Sequence, residues 1–249
     1  MENVLLSASY AFPPNAIGYC GKGSFTNVLK SFFDGKSDVV DLKKELEKFH
    51  AHYSYLKLIA ESNKKTIFDE KVVKAFWLGN ELLDGISLPV LKNFIKKVLF
   101  QGKQKKRSEM LCSMLEKNFV VQHSFNVLFI SFVSLKVPKN IKNFDHCIIS
   151  WAKVKKISGK KVFVRRFALT LDDKSKCFSV KERADCLDLE RKGIRFIQND
   201  SIKNGDWLSS HWGMAIQKLS NDDLMNLKKY TINNINAVNA IRKTIDVPH

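Results

Sequence analysis

The sequence has no pair of cysteines two residues apart, no run of eighteen uncharged apolar residues, and acids that are far outnumbered by bases. Each lack excludes something. The five cysteines, Cys20, Cys112, Cys147, Cys177 and Cys186, are odd in number and scattered. They form no Cys-x-x-Cys zinc frame and no disulfide framework, so reduced thiols and a cytoplasmic setting are expected. Without a long apolar run a membrane span is not expected. Glu2, in Met1-Glu2-Asn3-Val4-Leu5-Leu6, stands where a secretory signal carries bases, so export is not expected. No Gly-x-Ser-x-Gly elbow, His-Glu-x-x-His helix or Cys-His-Asn set occurs. Gly21-Lys22-Gly23-Ser24 lacks the glycine spacing, the Lys-Ser/Thr pair and the buried strand of a phosphate loop. His50 and His52 are two apart and face different sides of a helix, which makes a poor metal pair. An enzyme is therefore the less expected reading, although a site between two domains stays open.

What is present is a chain of 249 residues, 45% hydrophobic and 27% charged, with room for one large globular domain or two small ones. With 42 Lys and Arg against 25 Asp and Glu, the net charge is +17. That balance attracts polyanions or an acidic protein and by itself names no function.

The N-terminal part carries helical stripes. Ser24 is expected to cap a helix with Phe25, Val28, Leu29 and Phe32 that stops near Gly35. A second is expected from about Asp38, with Leu42, Leu46, Phe49, Tyr53 and Leu56 at helical spacing. Asp69 starts a third, with Val72, Val73, Phe76, Trp77 and Leu83, ending at Gly85. Ser87 with Pro89 starts a fourth, bearing Val90, Leu91, Phe94, Ile95, Val98 and Leu99 and ending at Gly102. Core packing accounts for these stripes. Lys103-Gln104-Lys105-Lys106-Arg107 reads as a solvated basic loop rather than a binding patch. The apolar stretch from Phe119 to Leu135 fits a buried helix or a buried strand, and Val137-Pro138-Lys139-Asn140 reads as a linker.

Beyond it the signals turn to β. Ile148–Ile157 and Val162–Leu169 are rich in β-branched and aromatic residues and flank a Ser158-Gly159-Lys160-Lys161 hairpin turn. Lys192-Gly193 and Lys203-Asn204-Gly205-Asp206 supply further turns. Ser220, with Asp222 and Asp223 behind it, opens a last helix whose Leu224, Leu227, Ile232, Ile235, Val238 and Ile241 can dock. The expected class is α+β, with a mostly helical domain over 1–140 and a small β-barrel plus terminal helix over 141–249.

Two segments of that second domain carry a resemblance. The first is Cys147-Ile148-Ile149-Ser150-Trp151-Ala152-Lys153-Val154; the second is Gly205-Asp206-Trp207-Leu208-Ser209-Ser210-His211-Trp212-Gly213-Met214-Ala215-Ile216. In this order, around a β-rich middle and before an acidic helix start, they resemble the HypC/HupF hydrogenase-maturation chaperones, whose barrel is OB-like. The helical half has no counterpart there. The whole chain, including Phe12-Pro13-Pro14-Asn15-Ala16-Ile17-Gly18-Tyr19-Cys20-Gly21, also resembles an uncharacterised prokaryotic family. The HypC resemblance implies an accessory role in [NiFe]-hydrogenase maturation, with the Fe(CN)2CO precursor as transient cargo. Its partners would be other maturation proteins or the hydrogenase large subunit.

The same resemblance implies Cys147 as iron ligand or partner-contacting thiolate and His211 as its neighbour, since soft, low-spin iron suits a thiolate and an imidazole. His146 stands next to Cys147 and can lower a thiol pKa. His123 and Cys20 are further candidates, the first also fitting a satisfied core histidine and the second a structural turn; Trp212 adjoins His211. Three departures are visible: Cys147 is internal, Trp151-Ala152 stands where the family has Pro-Gly, and the Cys-to-His interval is longer, around Asp172-Asp173-Lys174-Ser175-Lys176. The competing reading is an OB-like nucleic-acid binder using Trp151, Trp207, Trp212, Lys153, Arg165 and Arg166.

Overall fold

A computed structural model describes residues 2–101, 103–116, 118–133 and 140–244. The architecture is mixed α+β: a helical N-terminal part, a five-stranded sheet and a C-terminal helix. Helix α1 (Glu2–Ala16) was not marked by any sequence stripe. It is buried from Ser7 through Ala16 on every face, so it lacks the polar side that makes a helix periodic. Pro13 and Pro14 lie in its last turn.

Helix α2 (Ser24–Phe33) begins without a side-chain cap, because the Ser24 hydroxyl donates to the Glu45 carboxylate instead. The long helix expected from Asp38 is two: α3 (Val39–Glu47) and α4 (His50–Ser62). Asp38 caps α3 by accepting from the Val40 and Asp41 amides. Asp69 caps α5 (Glu70–Trp77) in the same way through the Lys71 amide. That helix ends earlier than its stripe. At Gly79 the chain turns with φ +91°, and a Cβ there would lie 2.3 Å from the Tyr230 ring. Leu83 belongs to a separate 3-10 turn, Glu81–Leu83.

Helix α6 (Leu88–Asn93) has Pro89 in its first turn and runs on as a π turn, Phe94–Leu99; the expected stop at Gly102 lies outside the described residues. Lys105, Lys106 and Arg107 are the first turn of α7 (Lys105–Met114), not a loop. Of the Phe119–Leu135 stretch, residues 119–122 are irregular and the described part from His123 on is helical: α8 (His123–Phe125) widens into a π turn over Asn126–Val133. Of the expected linker only Asn140 is described, and it caps α9 (Ile141–Cys147). Cys147 therefore ends a helix instead of opening a strand.

The strands follow as β1 (Ser150–Ser158), β2 (Lys161–Leu171) and β3 (Phe178–Asp188). A small hairpin of β4 (Glu190–Arg191) and β5 (Ile194–Arg195) turns at Lys192-Gly193, and β6 (Trp207–His211) and β7 (Met214–Lys218) complete the set. The pairings β1-β2-β3-β7-β6 close because β1 also pairs with β6. The joint between β3 and β7 is a single parallel bridge, Asp188 to Met214.

Helix α10 (Asn221–Thr244) is capped by the Ser220 hydroxyl, which accepts from the Asp223 amide. It docks through Leu224, Leu227, Ile235, Val238 and Ile241, while Ile232 faces outward. Asn239 bonds both backbone groups of Phe178, and Asn234 both those of Val120, so one helix clamps a strand and the irregular segment that leads into α8. One apolar core runs through helices and sheet, joining Phe12, Trp77 and Phe125 to Trp151, Leu169 and Met214. A smaller cluster with Val154, Val164, Leu187 and Leu208 fills the ring of strands.

Candidate metal centre

Three residues far apart in sequence meet where α8, α9 and β6 converge. One ring nitrogen each of His123 and His211 and the sulfur of Cys147 all lie within 4.8 Å of one another. Each is placed by its own element. His123 is the first residue of α8, set by the Gln122 side chain, which accepts from the Ser124 amide. His211 is the last residue of β6, where the chain reverses through Trp212 (φ 49°) and Gly213 (φ 73°). A tryptophan in the left-handed region is strained. Here the strain is offset by anchoring: its amide donates to the His146 carbonyl at 2.9 Å, and its carbonyl accepts from Arg191 at 2.9 Å.

Cys147 is held by what lies two residues before it. Asp145, 3% exposed, accepts from Arg166 at 2.9 and 2.6 Å, from the Leu169 amide at 2.7 Å and from Arg183 at 3.0 Å. Arg166 also donates to Ser150 and Asp185. The carboxylate thus welds α9 to β2 and β3. An opening of about 290 Å³ lined by Lys142, His146, Arg166, Arg183 and Trp212 lies on this side of the site.

The imidazoles are locked as neutral tautomers with one lone pair unused. His211 Nδ1 is 2.7 Å from the Tyr10 carbonyl and so carries the hydrogen; Nε2 is buried and has no hydrogen-bond partner. His123 Nε2 donates to the Cys147 carbonyl at 3.0 Å, leaving buried Nδ1 without a partner. An imidazole whose far nitrogen is fixed on a carbonyl is the usual posture of a metal-ligating histidine. Burial holds both rings far below the ordinary imidazole range, His211 to about 3 and His123 to about 4. For His211 the neighbouring His123 adds to the effect, and the Tyr10 and Cys147 carbonyls work the other way. Burial, with Cys20 nearby, pushes the Cys147 thiol up to about 12, while the Trp212 indole favours its thiolate.

Around the centre lies an aromatic shell. Trp77 contacts both rings, at 4.7 Å from His123 and 5.8 Å from His211, and stacks on Tyr10 at 5.1 Å. His52, also buried, sits 5.1 Å from Trp77 and exchanges a hydrogen bond with Ser7. Such a shell keeps water away from the unused lone pairs.

Of the residues singled out from sequence, Cys147, His211 and His123 form the centre itself, and Trp212 borders the Cys147 sulfur. His146 is half-buried and lies 5.8 Å from the Trp212 ring, not among the ligands. Cys20 is on an exposed loop after α1, yet the protein around its thiol pushes it up to about 11. His52 and Trp77 were not foreseen as neighbours of the site; a helical stripe marks them as core and carries no sign of which core they enter. The aromatic face for nucleic acid does not form as expected. Trp151 and Trp212 are buried, Arg166 is spent in the ion cluster, and the partly buried Trp207 is covered by Lys153 and Lys228.

Among the described residues no helix is long and apolar enough to cross a membrane. No curated protein and no solved structure is similar to the chain, so the HypC resemblance rests on its two sequence segments alone. The model of a family of unknown function, DUF6390, matches residues 2–244, and the chain belongs to that family.

Proposed function

We propose that this protein is an accessory metal carrier that takes one soft or borderline first-row transition-metal ion at His123, Cys147 and His211. The observation that carries the reading is the convergence, within 4.8 Å, of the Cys147 thiol and one nitrogen from each of two buried imidazoles, each ring being bonded to a carbonyl through one nitrogen and having its other nitrogen without a hydrogen-bond partner. Bond lengths of about 2.0–2.1 Å to nitrogen and 2.3 Å to sulfur require donors roughly 3.3–3.6 Å apart, a small inward movement. A thiolate with imidazoles selects iron, zinc or copper over magnesium or calcium. Three protein ligands leave positions open for ligands carried with the metal, which suits a cargo such as the Fe(CN)2CO fragment with its three diatomic ligands. With the two HypC-like segments, and the ring of five strands taken as the HypC-like, OB-like barrel, this favours a cytoplasmic role in [NiFe]-hydrogenase maturation. The burial of Trp151, Trp212 and Arg166 weighs against the nucleic-acid alternative.

The test is metal uptake by chelator-stripped, reduced protein, dialysed anaerobically against Zn2+, Co2+ or Fe2+ with metal analysis of the retentate. One ion per chain is expected, with Cys147→Ala and His211→Ala each weakening binding by about 100-fold or more. Wild-type protein that retains no metal defeats the reading. Infrared cyanide and carbonyl bands on protein captured from its native anaerobic cells, lost in Cys147→Ala, would identify the iron fragment as cargo.

A further inference from the structure

The cavity of about 290 Å³ beside the centre has a chemistry of its own. His146 and Ile148, which flank Cys147, and Ser210 and Trp212, which flank His211, all line it. It lies where the ring of strands is joined least. There β3 meets β7 through the single Asp188–Met214 bridge, and Arg183 and Asp185 of β3 supply further lining.

The acceptors in this cavity are taken. Asp145 Oδ1 accepts from Arg166 and the Leu169 amide, and Oδ2 from Arg166 and Arg183, which fills the roughly four acceptor sites of a carboxylate. Asp185 accepts from Arg166, Arg183 and the Cys186 amide. The donors are not all taken. Arg183 is half exposed and engages its acids through Nη2 alone, so Nη1 and Nε are left. Neither the Lys142 ammonium nor a ring nitrogen of His146 has a hydrogen-bond partner among the described residues. Ser210 is 3% exposed, and its hydroxyl has no partner there either. Three cations, Lys142, Arg166 and Arg183, stand against the carboxylates of Asp145 and Asp185, which leaves one positive charge.

We propose that this cavity is a binding site for a single carboxylate group, taken by Arg183, Lys142 and the Ser210 hydroxyl. Surplus donors call for an acceptor, and a guanidinium with two free nitrogens matches a carboxylate in shape. One surplus positive charge balances a monoanion, whereas a phosphate dianion would bring unbalanced negative charge beside two buried acids. Ile148 and Trp212 give the carbon chain behind the carboxylate an apolar wall. The group has two sources, a small free acid or the acidic side chain of a docking protein. The site stands on its own donors and needs no metal.

The test is calorimetric titration of chelated, reduced, full-length protein with propionate, with a blocked Ala-Glu-Ala peptide and with inorganic phosphate. About 0.1 M salt screens charges more than about 10 Å away. One carboxylate per chain is expected, weakened by about tenfold or more in Arg183→Gln and in Lys142→Gln, and by about threefold or more in Ser210→Ala. Lys228→Gln removes the same charge from beside Trp207, outside the cavity, and should leave the affinity within about twofold. Tighter binding of the peptide than of propionate identifies a protein side chain as the source; otherwise the source is a free acid. No carboxylate binding, equal losses in Lys142→Gln and Lys228→Gln, or phosphate binding more tightly than both carboxylates would overturn the proposal. Each of those results leaves metal uptake at His123, Cys147 and His211 to its own test.

Discussion

Three histidines sealed in the core should make the metal-free protein sharply acid-labile. His52, His123 and His211 are 7%, 7% and 2% exposed, and burial holds their pKa values at about 3, 4 and 3. In the unfolded chain each returns to about 6.5. Between those limits the unfolded state binds protons that the folded state refuses, so stability is fully present above about pH 6.5 and is lost as pH falls. Each ring contributes about 1.4 kcal/mol per pH unit in its window, so three together contribute about 4 kcal/mol per unit from about pH 6 to 4. Over the window this amounts to roughly ten kcal/mol, comparable to the whole stability of a domain, about 5–15 kcal/mol. The lowered carboxylates of Asp185 and Asp188 act in the same direction but titrate below the histidine window. Half-buried His146 adds to the effect.

The assay is urea unfolding of chelated protein at half-unit steps from about pH 7.5 to about 3.5, a range chosen to bracket that window. The free energy should be flat above about pH 7 and steepen below 6 toward uptake of about three protons on unfolding. His52→Phe, which leaves the three ligands untouched, should lower the slope by about one proton. Stability that is flat between pH 7 and 5 would refute the reasoning, because it would mean that the rings accept protons in the folded state.

Other outcomes follow from single contacts. Asp145→Ala should cost up to about 3–5 kcal/mol, because buried Arg166 loses its two-bond partner and keeps only Asp185 and Ser150, and the Asp145→Leu/Arg166→Met double variant should recover part of it in urea titrations. A double variant as unstable as the sum of its parts would show that the pair is not coupled. Gly79→Ala meets both a positive φ and the Tyr230 ring and should lower the melting temperature well beyond Gly18→Ala, where φ is +74° but the space is open. Equal effects at the two sites would mean that the Tyr230 contact contributes nothing.

Much of the local structure was legible in the residues themselves. Asp38, Asp69 and Ser220 accept from the amides that capping chemistry assigns them, and Lys192-Gly193 and Gly159 turn where a positive φ was needed. These features were readable because each involves groups only a few residues apart. What escaped was set by environment. Helix α1 shows no stripe because it is surrounded, and Ser24 gives its hydroxyl to Glu45. Ile232, in phase with the docking residues, faces outward. Cys147 ends a helix because Asn140 caps that helix and Asp145 binds it to Arg166.

The candidate centre divides in the same way. Residue chemistry and the two HypC-like segments singled out Cys147 and His211, and the apolar surroundings of His123 made it the best polar candidate of the helical part. No periodicity places residues 123, 147 and 211 within 4.8 Å of one another, or points Nε2 of one ring and Nδ1 of the other away from their carbonyls. Sequence determines which side chains are capable of holding a metal, because donor chemistry belongs to the residue. Their meeting belongs to tertiary structure, because it depends on long-range packing of α1, α8, α9 and β6 around a core from which water is excluded.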